Sequence, residues 1–254
     1  MGEYVQTTIN GGLTIREPKD GLRFGTDALL LAGFACGRLG KGPCADFGTG
    51  SGVLPLLLLS AGSRNTFTAV EIQEPYAALA EENVRANGFS SSVRVLPGDL
   101  RDHRALLPAG AFSSVLCNPP YFPFGSGYPN RCPEKQISRH AETLTVAQMA
   151  EAAGWALRSG GKLFCVYLPS GLVSLLTALR ANALEPKRLR LVSPTLAEKP
   201  SLVLVEAKKD AAEGLVTEAP FPLYLDGSHR TPSSEMEEIR SLFLDGRAEN
   251  KTVH

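Results

Sequence analysis

From about residue 43 to residue 208 the chain keeps one rhythm: a short apolar run, then a longer stretch with helical spacing. The runs 43–47, 66–71, 92–97, 112–117, 161–167, 187–193 and 201–208 are predicted strands, and 52–61, 74–88, 145–158 and 171–182 are predicted helices. Regular strand–helix alternation specifies a mainly parallel sheet with helices on both faces. The helix at 74–88 is the best marked, with Pro75 and Glu74 in its first turn and the stop signal Asn87-Gly88. A sheet covered on both faces needs a large core, and 43% hydrophobic residues in a chain of 254 can build one.

Two extensions flank this core. Residues 1–25 are read as an N-terminal extension, with a short hairpin around the turn "NGG" at 10–12. Residues 26–210 form the main domain. Residues 211–254 are expected to pack on it, with a helix capped near Ser233 and a polar, frayed end. Lys+Arg and Asp+Glu both total 26, so any contact with nucleic acid has to come from a local patch. Cys36, Cys44, Cys117, Cys132 and Cys165 are scattered without a C-x-x-C pair, which points to reduced core thiols and to no metal site. The N-terminus has no signal architecture, and the apolar run "GVLPLLLL" is too short to span a bilayer. A cytoplasmic protein, monomeric and without membrane contact, is the expectation.

Directly after the first core strand comes Asp46-Phe47-Gly48-Thr49-Gly50-Ser51-Gly52, then a helix. Such a turn lets backbone approach a ligand closely and offers helix N-terminal N–H groups. The spacing matches neither the phosphate-binding loop nor G-x-G-x-x-G. Glu71 closes the second strand, where a carboxylate accepts ribose hydroxyls in dinucleotide folds. Asp99 follows the third strand and is suited to accept from the exocyclic amine of an adenine. One acid alone is an ordinary loop carboxylate; three at successive strand ends describe a site for an adenosine-type ligand.

The residues "DFGTGSG", "AVEIQ", "GD" and "NPPY" together resemble class I S-adenosylmethionine-dependent methyltransferases. The resemblance implies a Rossmann-like fold with a seven-stranded, mainly parallel sheet and one antiparallel edge strand. It also implies S-adenosylmethionine as cofactor, bound by Phe24, Asp27, Asp46, Gly48, Gly50, Gly52, Glu71, Ile72, Asp99, Leu100 and Asn118. Phe24 and Asp27 belong to "GLRFGTDALLLAGF" (21–34), which is similar to a motif that covers the methionine end of the cofactor. On chemistry alone Asp27 or Thr26 is equally suited to cap the helix that follows.

The catalytic expectation rests on Asn118, Pro119, Pro120 and Tyr121, at the end of the fourth strand. Prolines fix φ and donate no hydrogen bond, and the residue before one is driven to extended backbone. The result is a stiff corner that offers two acceptors, the Asn118 side-chain oxygen and the Pro119 carbonyl, beside the ring of Tyr121. Two acceptors on one amino group suit methylation of a planar nitrogen, whose lone pair is otherwise delocalised.

The loop that follows carries Arg131, Lys135, Arg139 and His140, candidates for contact with RNA phosphates. Lys187, Arg188 and Arg190 are further candidates, or else the charged face of an edge strand. Through "GLRFGTDALLL", "DFGTGSGVLPLLL", "VEIQ", "NPPYF", "RHAETLT", "EPKRLRLVSP" and "PLYLDGSHRTPSSEM", nearly the whole chain resembles bacterial adenine-N6 methyltransferases of a valine tRNA, position 37. That resemblance implies a tRNA substrate. A glutamine methyltransferase acting on release factors, or a non-catalytic module binding S-adenosylmethionine or RNA, remain alternatives.

Overall fold

The computed structural model describes residues 4–9, 12–19, 24–119 and 144–245. Pro120, Tyr121, Arg131, Lys135, Arg139 and His140 lie outside them, as does Cys132. An antiparallel hairpin opens the chain, β1 (Tyr4–Ile9) with β2 (Leu13–Pro18), in the expected place. Then come α1 (Thr26–Ala35), β3 (Cys44–Phe47), α2 (Val53–Ser60), β4 (Phe67–Glu71), α3 (Glu74–Ala86), β5 (Val93–Pro97), the short α4 (His103–Leu106) and β6 (Phe112–Cys117). The chain continues with α5 (Val146–Ala156), β7 (Leu157–Tyr167), α6 (Leu172–Ala181), β8 (Leu184–Ser193) and β9 (Leu202–Lys209). The tail adds two short strands, β10 (Val216–Thr217) and β11 (Phe221–Pro222), and α7 (Ser234–Arg240).

The main sheet runs in the order β10-β8-β9-β7-β6-β3-β4-β5, with β11 also on β8. Strands β3 to β7 are mutually parallel, so each needs a crossover helix, which the sequence rhythm supplies. The seven core strands, β3 to β9, are mainly parallel as expected, and the two short tail strands bring the sheet to nine. Its antiparallel strand is β9, which lies between β7 and β8, one place in from the expected edge. The edge itself, β8, is covered by the tail strands.

Two apolar layers flank the sheet. One collects α1, α2, α3 and the hairpin residues Ile9, Leu13 and Ile15, together with Met236 and Phe243 of the tail. The other holds Met149, Ala153 and Leu157, with Leu175 and Leu179 of α6. Helix α2 (VLPLLLLS) is apolar on every side, and Val53 to Leu59 are buried, as a helix without a polar face must be. Its Pro55 falls in the first turn, where a missing N–H costs nothing. Among the described residues no helix is long and apolar enough to cross a membrane. Cys44, Cys117 and Cys165 are buried free thiols, and burial raises the pKa of each.

The hairpin is tied down by side chains. Asn83 of α3 and Asn87, its C-cap, are one turn apart. Asn87 accepts from Thr14 N at 2.8 Å and donates to Thr14 O at 2.7 Å; Asn83 treats Arg16 likewise at 2.9 Å each way. The two amides thus complete the outer hydrogen bonds of β2 as a neighbouring strand would. Asn83 Nδ2 also donates to Ser51 O at 2.9 Å, linking the hairpin to the glycine turn.

Candidate active site

Four strand ends form one row. Phe47 pairs with Val70 and with Cys117, and Glu71 pairs with Pro97. Asn118, Gly48 and, one residue past Gly98, Asp99 therefore line up with Glu71 along the carboxyl edge of β6, β3, β4 and β5. That edge is where open α/β sheets bind ligands.

The glycine turn is held from below. Gly48 N and Thr49 N both donate to Val70 O at 2.9 Å. Gly48, Gly50 and Gly52 have φ of 71°, 57° and 82°, values that side chains resist. A Cβ on Gly48 or Gly50 would meet nothing within 4 Å, so open space lies in front of this backbone. Glu71, only 5% exposed, clamps the turn: Oε2 accepts from Gly50 N and Oε1 from Gln73 N, both at 2.9 Å. A carboxylate has about four lone-pair directions, so both oxygens retain capacity for hydroxyl donors. Ile72 follows with 40% of its surface exposed, an apolar face beside the clamp.

Asp46 is fully buried beneath the turn. Its Oδ2 accepts from Thr49 Oγ1 at 2.6 Å, while Oδ1 has no partner among the described residues. Burial lifts its pKa to about 7; the Thr49 hydroxyl opposes that rise and the Glu71 charge adds to it. A buried acceptor with no donor is costly on its own and calls for a group that brings one.

Asp99 reaches the expected strand end but is engaged there by its neighbour. Oδ1 accepts from Arg101 N at 2.9 Å and Oδ2 from Arg101 Nε at 2.7 Å, capping the turn Leu100–Asp102. The hydrogen bond from the Arg101 side chain holds its carboxyl below the usual range. Leu100 is buried behind it.

At the other end of the row, Asn118 and Pro119 close β6. Asn118 is half-buried, and its Nδ2 donates to Asp27 Oδ2 at 3.2 Å, a contact between residues 91 positions apart. The cap expected at Thr26 or Asp27 is instead Gly25, which offers no side chain. Asp27 lies in the first turn of α1, where its Oδ1 accepts from Ala28 N at 2.9 Å. Phe24, just before, donates its N–H to the buried Glu17 at 2.6 Å and packs against the core. The loop residues expected at the catalytic corner and the RNA contact lie outside the described residues.

The second group of basic candidates is committed elsewhere. Lys187 Nζ donates to Ala212 O and Glu213 O at 3.1 and 3.3 Å. Arg188 pairs with Glu206 and Glu218 and covers the ring of Phe34. Arg190 donates to Ala219 O at 2.9 Å and pairs with Glu235 at 2.6 Å. These side chains fasten the tail to β8, the edge-strand setting that the sequence offered as the alternative to RNA contact. The sequence could not show that the tail returns to this strand.

Residues 19–171 match the family of methyltransferase small domains. The tRNA1(Val) (adenine(37)-N6)-methyltransferase of Tolumonas auensis is 28% identical over 200 residues, 78% of this chain and 81% of the relative. The protein of the same name from Porphyromonas gingivalis is 29% identical over 76% of this chain and 74% of its own length. A crystal structure of a predicted O-methyltransferase from Agrobacterium tumefaciens shares the fold, with a TM-score of 0.69 and 21% identity. That superposition covers 86% of this chain and 97% of the other.

Proposed function

The chain belongs to the methyltransferase small domain family, and from that premise we propose that it methylates the N6 amino nitrogen of an adenine in tRNA. The proposed position is 37 in the anticodon loop of a valine tRNA, as in the names of its relatives. S-adenosylmethionine is the proposed cofactor. The open space before Gly48 and Gly50 and the unpartnered Asp46 Oδ1 fit a ligand that brings an ammonium donor to this turn. In this reading Glu71 takes the ribose hydroxyls and Ile72 lies against the adenine, with Asp99 and Leu100 at its edge. Gly52 and Phe24 complete the surroundings, while Asp27 faces Asn118. Bound there, S-adenosylmethionine supplies an electrophilic methyl group on a positively charged sulfur.

One observation carries the reading: Asn118 ends β6 directly beside the turn that begins at Gly48. Asn118 Oδ1 and the Pro119 carbonyl would accept the two hydrogens of the target amino group. Gripping both hydrogens turns the nitrogen lone pair out of conjugation and fixes its direction. Positioning of this kind lowers barriers by several kcal/mol, and more where water is excluded. Tyr121 would stack on the base, a contact worth about 1–3 kcal/mol. Arg131, Lys135, Arg139 and His140 would meet the tRNA backbone. A base in a loop is reached without melting a duplex.

The test is methyl transfer from labelled S-adenosylmethionine to unmodified bulk tRNA and, in parallel, to a release factor. Label recovered as N6-methyladenosine at one position supports the proposal. Label recovered as methylglutamine, or no transfer to either, rejects it.

A further inference from the structure

The Asp27–Asn118 contact fixes which way round the Asn118 amide lies. The two faces of an asparagine amide are nearly the same shape, so packing alone rarely distinguishes oxygen from nitrogen. An ionised carboxylate does distinguish them, because it only accepts. With Asp27 Oδ2 at 3.2 Å, the atom facing it has to be the NH2 group, and Oδ1 is turned to the opposite side. The reversed amide would set oxygen against oxygen and lose a charge-assisted hydrogen bond.

The carboxylate is itself held in place. Its second oxygen accepts from Ala28 N at 2.9 Å, and it lies in the first turn of α1, where the helix dipole favours negative charge. Gly25 leaves room for it, since a Cβ there would come within 2.8 Å of Asp27 Oδ1. We propose that Asp27 is a positioning residue that locks the Asn118 amide with its oxygen toward the methyl-accepting nitrogen. This deepens the adenine-N6 reading and rests on it. It also gives Asp27 a task other than contact with the cofactor.

The lock predicts an inverted response in a double-mutant cycle. Asn118→Asp alone sets two carboxylates against each other, which misplaces the acceptor and lowers kcat roughly 100-fold. Asp27→Asn alone leaves a neutral amide that pairs with Asn118 either way round, so kcat falls within about fivefold. In the double variant Asp27→Asn/Asn118→Asp, the new amide donates to the new carboxylate, and kcat recovers at least about tenfold over Asn118→Asp. The dissociation constant of S-adenosylmethionine stays within about twofold throughout. A cofactor role for Asp27 predicts the reverse: weaker cofactor binding in every Asp27 variant, and no recovery.

A second measurement needs neither substrate nor cofactor. In Asn118→Asp the two facing carboxylates resist joint ionisation, so the folded state holds a proton that the unfolded chain releases. Its melting temperature should therefore drop below that of the parent as pH rises from about 4 to 8, and Asp27→Asn should abolish the drop. A drop that persists in the double variant, or no kinetic recovery, overturns the lock. Abolition of the drop in a protein that methylates no tRNA adenine would keep the lock and reject the adenine reading.

Discussion

The two ends of the strand-end row are assembled over different ranges of chain. At the glycine end, Thr49 to Asp46, Gln73 to Glu71 and Arg101 to Asp99 are local, and the Gly50–Glu71 clamp spans 21 positions between neighbouring strands. At the Asn118 end, the defining contact joins residues 91 positions apart, across two elements that never share a hairpin or a crossover. The glycine end is a preformed cradle, whereas the other end is a corner aimed by a distant helix. In the proposed function the difference separates binding from chemistry, and substitutions should separate them too.

The largest effect is expected at the corner. Asn118→Ala should lower kcat about 100- to 1,000-fold, the usual cost of losing an aligned polar group in a transition state. Calorimetry should find the cofactor dissociation constant nearly unchanged, and equal losses in both would mean that the two ends are not separable. Next is Glu71→Ala, which removes the clamp on Gly50 and the proposed ribose acceptor together. Two charged hydrogen bonds at about 1.5–3 kcal/mol each put the loss of cofactor affinity at roughly 100-fold or more. An unchanged affinity would remove Glu71 from the cofactor site.

The smallest effect is a proton. Asp46 titrates near 7 in the folded chain, against 3.8 as its ordinary value. The folded state then binds the proton more tightly than the unfolded one, so stability falls as pH rises from 3.8 to about 7 and levels off above. Asp46→Asn should therefore gain melting temperature over the parent at pH 8 but not at pH 4. A cation placed against Oδ1 pulls the carboxyl down again. Cofactor binding near neutral pH should release a proton, seen as a dependence of binding heat on buffer, and affinity should rise several-fold between about pH 6 and 8. Binding heat independent of the buffer would mean that no cation reaches Asp46.

The same split explains what could be read in advance. The seven core strands were legible because both helix and strand announce themselves by local period, and a parallel sheet needs the crossovers that the sequence shows. Ser233 was legible as a cap because its hydroxyl reaches only to Met236 N, three residues on. Asn83 and Asn87 gave no such signal, since amides one turn apart on a helix mean nothing until β2 lies alongside. Gly25 as the cap of α1 ran against side-chain preference, because Asp27 is turned toward Asn118 instead. Arg188 and Arg190 resembled an exposed basic row because their partners, Glu218 and Glu235, come from a tail whose return to β8 is a tertiary fact.

The most direct measurement is a crystal structure of the protein with S-adenosylhomocysteine and an anticodon stem-loop of the substrate tRNA. The adenine amino nitrogen should lie within hydrogen-bond distance of Asn118 Oδ1 and the Pro119 carbonyl, while Asp27 still holds Nδ2. A base bound elsewhere, or an Asn118 amide presenting its NH2 group to the adenine, would contradict the mechanism.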